Sequence, residues 1–188
     1  MAESLSTNPQ RDSGPRTYGM APLIRFTLLA LYLALVLPLP VLAPQELRPL
    51  LLAALPLGLG LVLAATSEQV ELTATDLRVG HPGWCRWWLR RGWQLSWCEI
   101  SGLTAVATSQ GGRVYYVRSA TTGAAWLLPQ RVEHFDDFLA RFASHSGCEV
   151  SGIGRISPAW TYRLLALLCG LMLLAELLAL VLIPGQAG

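Results

Sequence analysis

The chain has 188 residues, 53% of them hydrophobic and 14% charged, with a net charge of +2 and a mean hydropathy of +0.43. Those proportions exclude an ordinary soluble domain and point to membrane-spanning segments. Every basic residue is arginine, and between positions 67 and 155 nine arginines face eight acids, so there is no strong basic field to hold DNA or RNA.

Residues 1–20 are rich in Ser, Pro, Thr, Asn and Gln and have no apolar period; they are expected to be a disordered, solvated tail. Two runs nearly free of charge follow, 26–43 and 50–65, and a third lies at 164–183. A span needs about 20 apolar residues to cross roughly 30 Å of hydrocarbon, with every backbone polar group bonded inside the helix. The third run meets that length alone and the first nearly does. The second gains Pro49 as a first helical residue and Thr66 and Ser67 at the interface. Val41-Leu42-Ala43 ends in a small residue, as a signal-peptide cleavage site would. The run is longer than a signal core, however, Pro44 would follow the cut, and a second apolar run comes at once. Residues 21–66 therefore read as a transmembrane hairpin with a tight connection at 44–49, kinked at Pro38, Pro40 and Pro56.

Short-loop arginines set the expected orientation. Arg11, Arg16 and Arg25 precede the first span, Arg48 alone lies in the hairpin loop, and Arg155 and Arg163 precede the third span. The N-terminus and the central domain are thus expected on the cytoplasmic side of an inner or thylakoid-type membrane, with the C-terminal tail opposite. Thiols on that side are reduced.

Between the hairpin and the last span the period changes to two. Residues 69–72, 77–80, 84–90, 93–99, 103–108, 113–118 and 124–128 read as seven short strands of an antiparallel meander, punctuated by turn residues such as Thr75-Asp76, Pro82-Gly83 and Gly111-Gly112. A helix follows, with Val132, Phe135, Phe138 or Leu139, and Phe142 on one face, placed to cap the sheet. The run LTATDLRVGHPGW…WQLSWCEISGL…GGRVYYV…AAWLLPQRVEHFDDFLARF resembles the short pleckstrin-homology (PH)-like domains of bacterial membrane proteins. In those domains a Trp-x-Glu-Ile-like step enters a middle strand and a Leu-Pro segment precedes the helix. The resemblance covers about half the chain and implies a PH-like fold over 67–148, a scaffold that hosts lipid binding, peptide binding and assembly roles alike. A hairpin followed by such a domain is also similar in layout to a photosystem I assembly factor, from which the third span departs. The remaining segments are a linker, 149–162, and a third helix, 163–184. The fold class is accordingly α+β: three transmembrane helices plus a PH-like, seven-stranded antiparallel sheet capped by a C-terminal helix.

Catalytic signatures are lacking: no Gly-x-Ser-x-Gly elbow, phosphate-cradling loop or His-Glu-x-x-His occurs. His81, Cys85, Cys98, His145 and Cys148 lack the paired close spacings of a zinc site, and no cofactor or metal is implied. If Arg91 and Gly92 form a two-residue turn, Cys85 faces Cys98 across a hairpin; a three-residue loop ending in left-handed Gly92 sets it opposite Trp97 instead. Five of the seven tryptophans fall between Trp84 and Trp97, more than a small core can house. Strand alternation places Trp84, Arg86, Trp88 and Arg90 on one face, next to Arg91. Tryptophan with arginine suits either a headgroup layer or a protein interface. Glu176, inside the third run, is an intramembrane carboxylate and needs protein or water beside it.

The expected function is non-enzymatic: a membrane-tethered binding or scaffold module assisting assembly or stability of a larger membrane complex. Anionic-lipid headgroup recognition by the Trp/Arg hairpin is the second reading. A transporter or membrane-enzyme subunit using Glu176 is the third.

Overall fold

The apolar runs form helices because a chain this poor in polar side chains can satisfy its backbone in lipid only by internal hydrogen bonds. The computed structural model describes residues 14–89, 92–109, 112–154 and 158–182. In chain order these form β1 (Arg16–Gly19), α1 (Pro22–Val36), α2 (Leu39–Leu42), α3 (Arg48–Ala65), β2 (Gln69–Leu72), β3 (Asp76–Gly80), β4 (Trp93–Ser96), β5 (Ile100–Ala107), β6 (Arg113–Ser119), β7 (Ala125–Leu127), α4 (Phe135–Ser146) and α5 (Ala159–Leu182). Three stretches, Pro22–Leu42, Arg48–Ala65 and Ala159–Ala179, are long and apolar enough to cross a membrane. Pro38 divides the first into α1 and α2, since proline lacks an N–H and its ring clashes with the preceding turn. Pro56 is carried inside α3.

Helix α1 packs against both α3 and α5, through small residues that let backbones approach. Thr27, Ala34 and Cys169 are fully buried there. The Thr27 hydroxyl donates to Leu23 O at 2.7 Å and lies 3.4 Å from Tyr162 O on α5. On the other side the Tyr32 hydroxyl donates to Leu55 O at 2.7 Å. It passes over Gly58, where any Cβ would collide with that hydroxyl.

The strands form two antiparallel sheets, ordered β1-β2-β3-β4 and β5-β6-β7. Alternation buries Val70 and Leu72 of β2, Leu77 and Val79 of β3 and Leu95 of β4, and α4 closes over them. Phe135, Phe138, Leu139 and Phe142 line its buried stripe at the i, i+3, i+4, i+7 spacing of a core-facing helix. Phe138 lies edge-on to Tyr18 of β1, centroids 5.6 Å apart, and Phe142 edge-on to Trp97 at 5.8 Å. Trp97 sits in a one-turn 3-10 helix, Trp97–Glu99, closed by a Ser96/Glu99 capping box. Its indole N–H donates to Thr73 O at 2.9 Å.

Three expectations are corrected. The sheet is not a seven-stranded meander over 69–128: residues 84–89 are no strand, the seventh strand is Arg16–Gly19, and the strands divide into two sheets. Residues 16–19, expected to belong to the tail, are therefore a strand; residues 1–13 lie outside the described residues. β1 pairs with β2 from Arg16↔Leu72 to Gly19↔Gln69, and this pairing, with Tyr18 buried under α4, holds four residues that have too little apolar pattern to announce a strand. The linker expected over 149–162 is shorter and is fastened. Val150 and Ile153 pack against the core, Tyr115 and Gln130 donate to Gly152 O and Gly154 O, and α5 begins at Ala159.

The hairpin is thus an insertion between two neighbouring strands. Its base is locked by Ala21 N donating to Arg131 O at 2.8 Å and Glu133 N donating to Gly19 O at 2.9 Å. Since Phe138 is fully buried, Phe138→Ala is expected to cost about 3–5 kcal/mol. Thermal unfolding of the full chain in detergent checks this: the domain transition falls by many degrees while span helicity persists.

Candidate functional site

The Trp/Arg segment forms a tight loop rather than a hairpin strand. Pro82 O accepts from Cys85 N and Arg86 N, and Cys85 O accepts from Trp88 N and Leu89 N, each at 3.1 Å. These one-turn bonds wind the chain helically, so Trp84, Trp87 and Trp88, at i, i+3 and i+4, share an outward face. Cys85 turns inward. It is fully buried, with Sγ 3.3 Å from Ser67 Oγ and 3.6 Å from Pro82 O. Ser67 in turn donates to Ala64 O at 2.7 Å, so the loop is seated on the end of α3.

Trp84 and Trp88 are 59% and 58% exposed and Trp87 82%, and Arg86 is exposed. The Trp87 and Trp88 rings stack at 6.2 Å. Arg90 and Arg91 lie outside the described residues. Strand alternation put Trp87 on the face opposite Trp84 and Trp88; the structure brings all three together. Sequence reasoning missed Trp87 as a member of the patch, although its spacing from Trp84 and Trp88 carried the signal. The loop returns at Gly92, which has no room for a Cβ against Val79 O.

Three further tryptophans stack on rings within the domain. Trp93 stacks on Trp126 at 5.9 Å, and Trp97 stacks on His145 at 5.0 Å. Cys85 does not face Cys98 across a hairpin: the first is buried in the loop and the second exposed, and both are free thiols. Among the described residues no three His, Cys, Asp or Glu side chains are grouped to hold a metal ion.

Two carboxylates organise the domain's polar contacts. Asp76, nearly buried, accepts from Thr73 at 3.0 Å, Arg78 at 3.0 Å, Thr75 at 3.2 Å and Gln94 at 3.0 Å. Burial alone raises its pKa, but the hydrogen bonds from Thr73 and Arg78 and the guanidinium charge outweigh that and hold it below the usual value. Asp137 accepts from the Tyr18 hydroxyl at 2.5 Å, with Arg16 and Arg141 at 3.4 and 3.3 Å. The Tyr18 bond, which outweighs burial, lowers its pKa together with the two arginines. Burial, with that same bond, pushes Tyr18 up to about 12. Both clusters join strands to one another or to α4 and serve architecture. A shallow cavity of about 220 Å³ lies between Met20, Glu68, Leu127, Pro129 and Arg131, but it gathers no nucleophile with a base.

Glu176 is partly exposed on α5, and its carboxylate reaches no hydrogen-bond or ion-pair partner among the described residues. It stands 17 residues after Ala159, about 25 Å along the helix at 1.5 Å per residue.

Helices that suit a bilayer, a sheet domain closed onto their base and an aromatic loop at the foot of α3 define a membrane-spanning α+β protein. No family model and no solved structure matches it. The chain is 39% identical over 181 residues to the uncharacterized protein slr0269 of the cyanobacterium Synechocystis sp., an alignment covering 94% of this chain and 88% of that protein. It belongs to the same family as slr0269.

Because both carboxyl groups titrate below the ordinary carboxylate value of about 4, their contribution is complete above that pH and is lost as pH falls through the folded-state values. Asp76→Asn is expected to cost about 1.5–3 kcal/mol at neutral pH. The difference from the unchanged chain should shrink as pH falls through the lowered folded-state value of Asp76, as read from denaturation midpoints across pH.

Proposed function

We propose that this chain is a non-enzymatic, membrane-tethered scaffold that assists assembly or stability of a larger membrane complex. The observation that carries the reading is Glu176. An intramembrane carboxylate normally faces protein or water, and this one, half-buried on α5, makes no hydrogen bond or ion pair with its own chain among the described residues. A second membrane-embedded chain lying along α5 satisfies it. The domain supports the same reading. Its strand sets of four and three with a closing helix suit a PH-like binding scaffold, and its insertion around the hairpin holds it at a fixed attitude to the spans. With arginines concentrated beside the domain, this end of the bundle is the cytoplasmic one in an inner or thylakoid-type membrane.

An interhelical hydrogen bond in a membrane contributes about 1–2 kcal/mol. Glu176→Leu is therefore expected to reduce recovery of the co-purifying membrane protein in mild detergent roughly five- to thirty-fold, while Glu176→Gln, which still hydrogen-bonds, retains it. Equal recovery with all three chains would remove Glu176 from the contact. Orientation is checked separately on intact cells with an impermeant maleimide: Glu46→Cys in the hairpin loop is expected to label, and the exposed native Cys98 only after the cells are opened.

A further inference from the structure

The loop that carries Trp84, Trp87 and Trp88 has a definite height relative to the bilayer. Cys85 ties it to Ser67, two residues beyond Ala65, where α3 ends. Two residues of helical rise are about 3 Å, whereas the headgroup layer on each side of the hydrocarbon is roughly 5–7 Å deep. Cys85, which anchors the loop, is therefore set within the depth of such a layer at the end of α3.

The exposure of the tryptophans is that of groups meant for such a place: the most open, Trp87, shows 82% of its surface and stacks on Trp88, with Arg86 exposed beside them. A second aromatic group stands at the same end. Trp160, 64% exposed, is in the first turn of α5. Because α1 packs against both α3 and α5, the loop beside α3 and Trp160 at the head of α5 bracket the bundle at one level. Indoles gain most at the headgroup boundary, and an arginine there gains from lipid phosphate.

We propose that residues 82–89 form an interfacial foot: Trp84, Trp87 and Trp88 insert among the headgroups of the chain's own membrane, and Arg86 meets lipid phosphate. The occupant is lipid because the patch lies where a span ends, at the depth lipid already fills, and because Trp160 repeats the same chemistry across the bundle. The foot and the base of the hairpin together hold the domain against rocking. This inference rests on the spans and not on complex assembly, so either stands if the other fails.

The test uses the full chain in nanodiscs of phosphatidylcholine and phosphatidylglycerol containing shallow spin-labelled lipid. Cys98→Ser and Cys148→Ser are introduced, the buried Cys85 and Cys169 are kept, and a fluorophore is attached at Trp87→Cys, Trp160→Cys or Ala74→Cys, the last exposed in the turn at the end of β2 away from Gly19 and the spans. Quenching at 87 is expected to match that at 160 and to exceed that at 74 roughly threefold or more, as their depths require. Equal quenching at 87 and 74 overturns the proposal and leaves the patch to a protein partner. A second measurement keeps the native rings: Trp87→Phe with Trp88→Phe should lower the fraction of tryptophan emission quenched by brominated lipid. An unchanged fraction overturns it as well.

Discussion

The pairing of β1 with β2 is the interaction on which the rest of the molecule depends. Gly19 lies opposite Gln69, so the chain leaves the sheet for the membrane and returns to it at adjacent points. Lipid permits only internally bonded helices between those points, and the sheet dictates that their ends meet. The span ends are therefore fixed by backbone ladder bonds. The contacts of Ala21 and Glu133 with the far side of the domain extend that clamp to the segment entering α4, and the packing of Val150 and Ile153 on the core brings the approach to α5 under the same control.

Side-chain chemistry divides along this frame. In the domain, the aromatic stripe of α4 supplies the largest fully buried side chains, and Asp76 and Asp137 join the elements around it. Within the bundle, polarity is sparse and local: the Thr27 and Tyr32 hydroxyls bond to backbone carbonyls. Glu176 is the exception, and so the group that most needs a neighbour.

How much of this was legible in the sequence depends on the range of the signal. The three spans, the α4 stripe and six of the strands are written in local periodicity that nothing in the fold overrides. β1 was not legible, because Arg16, Thr17, Tyr18 and Gly19 carry one apolar side chain and become a strand only through a partner about fifty positions away. Residues 84–90 misled in the opposite way: tryptophan and arginine alternate as in a strand, yet the chain after Pro82 closes helical turns, and a 3.6-residue reading would have placed Trp84, Trp87 and Trp88 together. For the candidate site, the excess of indoles over core space was visible in composition, but its seating on Ser67 depends on tertiary contact. The fastened segment after α4 was equally hidden, since its hydrogen bonds come from Tyr115 and Gln130.

The inserted position of the hairpin also imposes an order on synthesis. β1 leaves the ribosome first, yet the last residue of its partner strand, Leu72, follows Gly19 by 53 residues, a delay of about 3–10 seconds at roughly 5–20 residues per second. Through that interval both helices of the hairpin must reach the bilayer while the first strand waits unpaired beside it. The bridge from Met20 to Val132 cannot close until most of the domain has been made. Membrane insertion thus precedes domain closure, and the domain is assembled in place, around a base already planted in lipid.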